Sequence, residues 1–369
     1  MKKPKTTKLL KKPKLPPVKL RRPAKTAEEK VSEALSDVPR ITNETLGEHR
    51  EEMLSSARKY IYPLQHSKHH VVRISISLFI AVVLIFFGAC ALSLYKLQST
   101  GGFIYDVTRI VPFPVAKAGK SWVSYESYLF ELRRNMHYYR TQQNANFSSK
   151  SGQSQLARLK QQAMSEVVQD AYVKQLANQH HVSVSNQEVT NEINLLRAQN
   201  RLGNSDRVFR DVLNEFWGWN EADFRRSLKE ELLQQAVVAK LDTAANARAQ
   251  SALNQLAGGA DFATVAQQMS DDAGTKGNGG RYPEAITPND ANISPAVTAE
   301  LFKLQPNQVS TIINTGYTLE IVKVLDKSGN SLHAAHIQFN LKPITTYTAP
   351  LQAKEPPHKY IKLPPAPTH

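Results

Sequence analysis

Residues 258–280 read GGADFATVAQQMSDDAGTKGNGG, and this stretch decides the fold of the part in which it lies. Its first half has apolar residues at helical spacing, which predicts a helix with one apolar face: Ala260, Phe262, Ala263, Val265, Ala266 and Met269. The Ser-Asp-Asp that follows ends this helix. Four glycines then predict a loop whose backbone can adopt positive φ: Gly274, Gly277, Gly279 and Gly280. We expect the residues just downstream to complete the same domain.

The positive charge of the chain is concentrated near its N-terminus. Residues 1–73 hold 18 basic and 8 acidic residues, within a formal net charge of +15 for all 369 residues. Residues 1–27 carry eleven Lys or Arg, five prolines and no acid, so 1–73 is predicted to be a largely disordered cytoplasmic tail. Such a tail attracts anionic lipid headgroups by about 1 kcal/mol per basic residue. The alternative is a merely solvated tail that sets the membrane topology. Because no aromatic residues interleave with the charges, specific nucleic-acid binding is not expected.

An uncharged segment of 22 residues follows, Ile74–Tyr95. As a helix it is about 33 Å long, which is enough to cross a bilayer. The excess of Lys and Arg before it predicts a cytoplasmic N-terminus, so residues 96–369 should lie outside the cytoplasm of a bacterium. A cleaved signal peptide is the competing interpretation, but its basic region would be far too long. The single cysteine, Cys90, excludes an internal disulfide and a cysteine-based metal cluster; a lipid-modified cysteine remains an alternative there.

Residues 96–121 are predicted to be a linker, and residues 122–245 a helical domain. Leu156–His180 has a broad apolar face at helical spacing. Ser185 with Glu188 forms a capping-box pattern that starts the next helix. Asn220 starts the longest helix, which the pattern carries to about Leu256.

Several short motifs in this helical region resemble the N-terminal chaperone domain of SurA/PrsA-type extracytoplasmic foldases. The resemblance covers roughly residues 115–242, and an unrelated helical bundle is the alternative. The motifs are Val123-Ser124-Tyr125-Glu126-Ser127-Tyr128, His181-Val182-Ser183-Val184-Ser185 with Glu188-Val189, and Phe224-Arg225-Arg226-Ser227-Leu228 with Leu232-Leu233.

Residues 247–324 resemble the parvulin family of peptidyl-prolyl isomerases in three blocks that occur in the family's order. The blocks are Gly259-Ala260-Asp261-Phe262-Ala263 through Ser270-Asp271-Asp272, then Gly277-Asn278-Gly279-Gly280, then Leu301 through Val324. The resemblance implies an antiparallel four-stranded sheet with helices. The whole chain is therefore predicted to be α+β: one transmembrane helix, an all-helical chaperone domain, a parvulin-like domain over 246–340 and a flexible Pro-rich tail over 341–369.

One family element is missing from its usual place. Parvulins open with a histidine-bearing strand before the first helix, but the residues here are Ala-rich with low β-propensity, Ala239–Asn246. A candidate strand follows the last one instead, Ser331–Asn340, and its Ala335-His336-Ile337 resembles the family's opening strand. We therefore predict a circularly permuted parvulin domain. The alternative is that 331–340 only extends an edge strand and the first strand is absent.

The resemblance also implies the site residues. It assigns a catalytic role to Asp272, facing the substrate carbonyl, to His336, and to Thr318, which stands where the family has a second histidine. It assigns substrate contacts to Ile293, Val297, Phe302, Tyr282 and Asn314. Plain core packing is the alternative for the three apolar residues. No metal or cofactor is expected, because prolyl isomerisation breaks no covalent bond.

The predicted function is that of a membrane-anchored foldase that binds unfolded exported chains and isomerises their X-Pro bonds. The competing prediction is a binding chaperone whose isomerase domain is vestigial. Two departures from the family favour this competing prediction. One is Thr318, and the other is Arg281-Tyr282-Pro283, where the family has an acidic residue, leucine and glycine.

Overall fold

The computed structural model describes residues 26–36, 42–61, 64–203 and 205–365. The most basic segment, 1–25, for which disorder is predicted, lies outside these residues. Two units are distinguished, 1–85 and 86–369, and each is described by itself.

The first unit contains helices α1 (Ala27–Ser36) and α2 (Asn43–Ile61) and the beginning of α3 (Leu64–Ala91). The structure here differs from the predicted disorder of 1–73. Both short helices are acidic in the first turn, and α2 is also basic in the last. This charge arrangement favours the helix macrodipole.

The apolar helix α3 continues as one π-helical turn, Leu92–Lys96. Among the described residues one helix, His69–Lys96, is long and apolar enough to cross a membrane, with a mean hydropathy of 2.7. Its last turns enter the core of the second unit, where Leu94 is fully buried. The Tyr125 hydroxyl donates to the Leu94 carbonyl oxygen at 2.6 Å. The predicted linker over 96–121 is instead structured, because α4 (Gly102–Ile110) and β1 (Pro114–Ala118) lie within it.

The helical part of the second unit is built on β2 (Ser121–Ser124), α5 (Tyr125–Gln142) and α6 (Lys150–Gln179). Ser124 and Ser149 cap the two helices, each accepting a backbone N–H with its hydroxyl. The core between them is apolar and rich in tyrosine; its fully buried members include Tyr125, Tyr128, Leu132, Met164 and Tyr172.

Three more helices complete this part: α7 (Asn186–Ala198), α8 (Asp206–Trp217) and α9 (Glu221–Leu241). The capping box of Ser185 and Glu188 is confirmed. The prediction of one helix to about Leu256 is wrong, because the chain bends at Asp242, whose ψ of 72° is not helical. Asp242 instead caps the next helix, α10 (Thr243–Ala257), by accepting the Ala245 N–H at 3.1 Å.

The C-terminal segment differs from the predicted flexible tail. It forms α13 (Thr345–Lys354) and a short strand β6 (His358–Lys359), which pairs antiparallel with β1 in a sheet ordered β2-β1-β6. Ile361 is only 3% exposed within the helical core. The Tyr172 hydroxyl donates to the Glu355 carbonyl oxygen at 2.6 Å. Residues 366–369 lie outside the described part.

A second, smaller layered part lies between α9 and α13. It contains α10, α11 (Phe262–Met269), α12 (Pro295–Lys303) and strands β3 (Ile313–Asn314), β4 (Thr318–Ser328) and β5 (Ser331–Asn340). The sheet is antiparallel and ordered β3-β4-β5. In place of the predicted fourth strand, two isolated bridges, at Arg281 and Ile286, line the free edge of β5. Pro283, which lacks an N–H, lies between these bridges and cannot donate to a ladder.

The sheet has an apolar core on each face. Helices α10 and α11 cover one face, with Phe262 and Val265 against Ile321 and Phe339. Helix α12 covers the other face. His336 pairs with Val322 across β4 and β5, so it lies on the α12 face, beside a loop that follows α11.

The chain enters and leaves this smaller part at one place. Asp242 is 2% exposed. One of its carboxylate oxygens caps α10, and the other accepts the N–H of Lys342 at 2.8 Å, just after β5. One buried side chain therefore ties the entry to the exit.

Candidate functional site

His336 lies between two carboxylates. Its Nε2 is 3.0 Å from Asp272 Oδ2, and its Nδ1 is 3.0 Å from Glu320 Oε2. The His336 side chain is 6% exposed and that of Glu320 is 10% exposed, whereas that of Asp272 is 27% exposed. The cluster thus has a buried end at Glu320 and an open end at Asp272.

The glycine loop brings the Asp272 segment against β5. Gly280 has φ +79°, and its carbonyl oxygen accepts the His336 N–H at 2.8 Å. A Cβ on Gly280 would meet the His336 carbonyl oxygen at 2.1 Å, so no side chain fits there. The predicted positive φ is confirmed at Gly279 and Gly280; Gly274 and Gly277 do not adopt it.

Asp272 is held as an anion by the start of its own loop. Its Oδ1 accepts the Gly274 N–H at 3.0 Å, and its Oδ2 accepts the Thr275 hydroxyl at 2.5 Å. Burial alone raises the pKa of Asp272, but these hydrogen bonds together with His336 outweigh it and lower the pKa. The Arg248 guanidinium donates a hydrogen bond to Oδ1 of the neighbouring Asp271 at 2.6 Å, and this contact fixes the loop.

Glu320 is surrounded by hydroxyl donors. The Thr318 hydroxyl donates to its Oε1 at 3.1 Å, and the Tyr282 hydroxyl donates to its Oε2 at 3.4 Å. The Tyr282 ring also stacks on His336, with 4.4 Å between ring centroids. Burial lowers the pKa of His336, but Glu320 and Asp272 reverse this effect, so the pKa is raised. Burial and Glu320 also raise the pKa of Tyr282, which keeps its phenol protonated.

The structure brings four of the eight residues predicted from the sequence into this cluster. Asp272 and Tyr282 each contact His336, and Thr318 joins them through Glu320. Ile293 and Phe302 are partly buried against the α12 core. Val297 belongs to that core at 0% exposure and has no surface for a ligand. Asn314 is exposed, and its side-chain oxygen accepts the Gly316 N–H at 2.9 Å.

The sequence reasoning missed Glu320 and Thr275. Thr275 Oγ1 is 2.9 Å from His336 Nε2 and also contacts Asp272, so it belongs to the cluster. Glu320 is flanked in β4 by the apolar residues Leu319, Ile321 and Val322. An acid flanked by apolar residues in a strand is a signal that could have identified it, because a buried carboxylate needs a partner.

A cleft of about 710 Å³ lies between the helical part and the smaller part. Apolar side chains from α7 and α9 line one wall, and Tyr317, which is 64% exposed, lies on the other. Three acids, Glu188, Glu192 and Glu231, also line it. The apolar residues on the helical wall include Leu195, Leu196, Phe224, Leu228 and Leu232.

Two family models match the chain, one after the other. The model for the SurA-like N-terminal domain matches residues 63–238, and the model for the PPIC-type PPIase domain matches residues 231–326. The chain carries a SurA-like N-terminal domain joined to a parvulin-type rotamase domain. The candidate site lies in the rotamase part. The match to the rotamase model ends at Asp326, before β5, so His336 lies outside the matched residues.

Similar proteins carry corresponding names. A parvulin-like PPIase of Rickettsia conorii is 26% identical over 42% of this chain and 57% of its own length. A parvulin-like PPIase of Rickettsia bellii is 31% identical over 33% of this chain and 40% of its own. The foldase protein PrsA of Clostridium acetobutylicum is 40% identical over 19% of this chain and 20% of its own. The chain thus spans about half the length, or less, of these curated relatives.

Among solved structures, the chain is similar to the foldase protein PrsA from Streptococcus pneumoniae. The two are 17% identical over 52% of this chain and 76% of the other, with a TM-score of 0.17. That score is too low to indicate a shared overall arrangement.

Proposed function

We propose that this chain is a membrane-anchored foldase that isomerises X-Pro peptide bonds in unfolded, exported polypeptides. The observation that carries the proposal is the position of His336, hydrogen-bonded to Asp272 within a parvulin-type domain. Isomerisation of X-Pro bonds takes tens to hundreds of seconds without a catalyst and can limit folding. An exported chain therefore gains from such an activity at the membrane.

Asp272 is the group proposed to act on the substrate amide. Amide resonance places negative charge on the carbonyl oxygen and gives a rotation barrier of about 18–20 kcal/mol for an ordinary peptide bond. An anion facing that oxygen disfavours the charge-separated form. The twisted amide has less of that charge, so Asp272 stabilises it relative to the planar ground state. His336 and Thr275 fix the orientation of the carboxylate.

The proline ring needs an apolar surface next to Asp272. Tyr282, Ile293 and Phe302 are the partly buried residues proposed to provide it, on the α12 face of the sheet. Val297 supports this surface from beneath. Thr318 is proposed to act through Glu320 rather than on the substrate. Asn314 is proposed to contact the peptide further along, because it lines the large cleft.

The domain is further proposed to be a circularly permuted parvulin. Strand β5 pairs with β4 along its whole length, from Thr318 opposite Asn340 to Ser328 opposite Ser331. This pairing and the end of the family match before β5 support the proposal. The shared entry and exit at Asp242 also support it, because a permuted domain needs its new ends together.

The chain is proposed to lie in a bacterial cell membrane with its N-terminus in the cytoplasm. The helix His69–Lys96 is long and apolar enough to be the anchor. The basic segment before it is proposed to contact anionic lipid headgroups and no specific nucleic acid. Residues 246–340 would then be the isomerase domain. Residues 122–245, with α4, β1, α13 and β6 packed on the same core, would be the chaperone domain, which presents the apolar cleft to unfolded clients.

An isomerisation assay tests the enzyme. The full chain in lipid nanodiscs is added to a proline-containing peptide, and cis–trans exchange is measured by NMR. Asp272→Asn is expected to lower kcat/KM on the order of 10²-fold, a usual cost of removing one preorganised electrostatic group. Glu284→Gln, an exposed acid of the same domain, is the control and should change nothing. An Asp272→Asn rate equal to wild type would reject the site.

The second candidate function is a binding chaperone without isomerase activity. The size of the apolar cleft and the threonine at position 318 favour it. Suppression of the aggregation of an unfolded client separates the two functions. Tyr317→Ala, in the cleft, is expected to weaken suppression and leave kcat/KM unchanged, whereas Asp272→Asn should do the reverse. A wild-type exchange rate equal to the spontaneous rate, with suppression intact, would establish the second function and reject the first.

A further inference from the structure

Helix α4 is apolar on two opposite sides. Ile104 and Tyr105 pack on the helical core, and Thr108 is 2% exposed. At 100° per residue, Phe103 and Ile110 lie on the far side of the helix. Phe103 is 68% exposed and Ile110 is 84% exposed. We define the outer stripe as Phe103, Val107 and Ile110.

An ordinary surface helix has one apolar stripe, which faces the core, and a polar opposite face. The outer stripe of α4 breaks this rule, and no described residue covers Phe103 or Ile110. A surface of this kind in a stable protein indicates a contact with something apolar.

The outer stripe lies close to the end of the apolar helix. Only residues 97–101 separate Lys96 from the start of α4, and five residues span at most about 18 Å. Leu97, within this connection, is 72% exposed. The end of the apolar helix is fixed in the same core through Leu94 and Tyr125. Because Cys90 and Leu94 are buried in protein, the apolar helix would leave the membrane before Cys90, about 9 Å along the helix from Lys96, and α4 is held by the same core beside that end.

The charges near the outer stripe are mixed. Lys96 before α4 is basic and exposed, and Asp106, 40° from Ile110 around the helix, is acidic and exposed. Arg109 lies 100° from Ile110, with its guanidinium 6.0 Å from the centre of the Tyr105 ring. Amphipathic helices that lie in the membrane interface bury their apolar face about 5–10 Å deep.

We propose that Phe103, Val107 and Ile110 insert into the lipid interface next to the exit of the apolar helix, and so hold the helical part of the protein against the membrane. The occupant of this surface is the bilayer itself. The inference rests on the proposed function in one respect, namely that the helix His69–Lys96 spans a bilayer.

Depth-dependent quenching tests the inference on the full chain in liposomes of phosphatidylcholine and phosphatidylglycerol. In a Cys90→Ala background, bimane is attached to Phe103→Cys, Ile110→Cys or the control Arg109→Cys, which is exposed on the same helix but 100° or more away from both. Nitroxide-labelled lipid is expected to quench the labels at 103 and 110 several-fold more than the label at 109. Iodide in the buffer should show the opposite order.

Equal iodide quenching at all three positions would overturn the inference. Labels at 103 and 110 that are shielded from iodide but not quenched by nitroxide lipid would also overturn it, because a second copy or another protein then covers the stripe. Carbonate extraction of the same liposomes tests the anchor separately. If the chain resists extraction while the stripe stays accessible to iodide, the apolar helix is anchored and only the inference about the stripe is rejected. If the chain is extracted, the proposal that the helix His69–Lys96 spans the bilayer is rejected as well.

Discussion

At the scale of single residues, Glu320 controls the charge of the candidate site. It is a buried carboxylate hydrogen-bonded to His336, and His336 is in turn bonded to Asp272. With His336 protonated, the three groups carry a net charge of −1. Replacing Glu320 by glutamine keeps the shape and removes one charge, so it separates the electrostatic role from the packing role.

We expect Glu320→Gln to lower the pKa of His336, because Glu320 is the main group that raises it. We expect kcat/KM to fall at high pH as His336 loses its proton. In Glu320→Gln this fall should begin at lower pH, because the pKa of His336 is lower. The stability that the raised pKa contributes is complete below the unfolded pKa of about 6.5 and is lost as the pH rises through the folded pKa. Exchange kinetics between pH 5 and 9 measure the shift, and a fall at the same pH as in the Glu284→Gln control would contradict it.

Two glycines of the loop make a matched pair for a second prediction. Gly280→Ala places a Cβ 2.1 Å from the His336 carbonyl oxygen at a φ of +79°, whereas Gly277 has no atom within 4 Å of such a Cβ. We expect Gly280→Ala to destabilise the rotamase domain by more than about 2 kcal/mol and Gly277→Ala to have little effect. Urea unfolding followed by far-UV circular dichroism measures both, and equal midpoints would show that the close approach to β5 is not needed.

The residues of the site differed in how far the sequence could predict them. Asp272 lies in one of the blocks that occur in the family's order, and His336 lies in a motif that resembles the family's opening strand at a different place, so both were predicted although 64 residues separate them. Glu320 was not predicted, although its apolar neighbours in the sequence are a local sign of a buried carboxylate. Its partner His336 lies diagonally across from it on β5, and the sequence around Glu320 does not contain the register that brings the two together.

At the scale of elements, the C-terminal segment is part of the helical core. Ile361 is 3% exposed among core residues, and Tyr360 stacks on Trp122 with 5.9 Å between ring centroids. These contacts stabilise β1, the strand with which β6 pairs. The segment therefore contributes to the stability of a domain whose other elements lie about two hundred residues earlier in the chain.

We expect Ile361→Ala to lower the free energy of unfolding of the helical part by about 2–5 kcal/mol, the usual cost of such a truncation in a core. Tryptophan fluorescence reports this part selectively, because all three tryptophans lie in it: Trp122, Trp217 and Trp219. Lys362→Ala, at an exposed neighbour, is the control. A fluorescence midpoint that does not move would show that the segment is only loosely attached.

Elements with local signals were predicted well, and those without were not. Helices α6 and α7 have apolar periodicity and capping residues within their own sequence. Strand β6 and helix α13 lie in a Pro-rich stretch whose composition is typical of flexible tails. Their structure depends on burying Ile361 in a distant core, which composition alone does not reveal.

At the scale of the whole molecule, the rotamase domain is an insertion in the helical domain. The chain leaves the helical part at Asp242 and returns at Lys342, where one side chain binds both ends. The insertion was not predicted as such, because a domain order read along the sequence places the two domains one after the other.

We expect the helical part to fold without the insertion. Replacing residues 243–341 by a short Gly/Ser linker should leave a single cooperative tryptophan-fluorescence transition in urea, because the ends already lie close together and a short loop costs little entropy to close. The intact chain is the control. A product without a cooperative transition would show that the rotamase domain is required to hold the helical part together.

The return of the C-terminal segment to β1 has a consequence for the order of events during export. In the proposed orientation, with the N-terminus in the cytoplasm, residues beyond the apolar helix would cross the membrane in sequence, and Ile361 would cross near the end. At about 5–20 residues per second of synthesis, β1 and Tyr172 wait for tens of seconds before β6 arrives. The rotamase domain has all of its own elements once Asn340 has emerged, about 1–4 s before β6 at those rates, so it can begin to fold first. If the proposed function holds, the protein would complete its rotamase domain while its own helical domain still lacks its last strand.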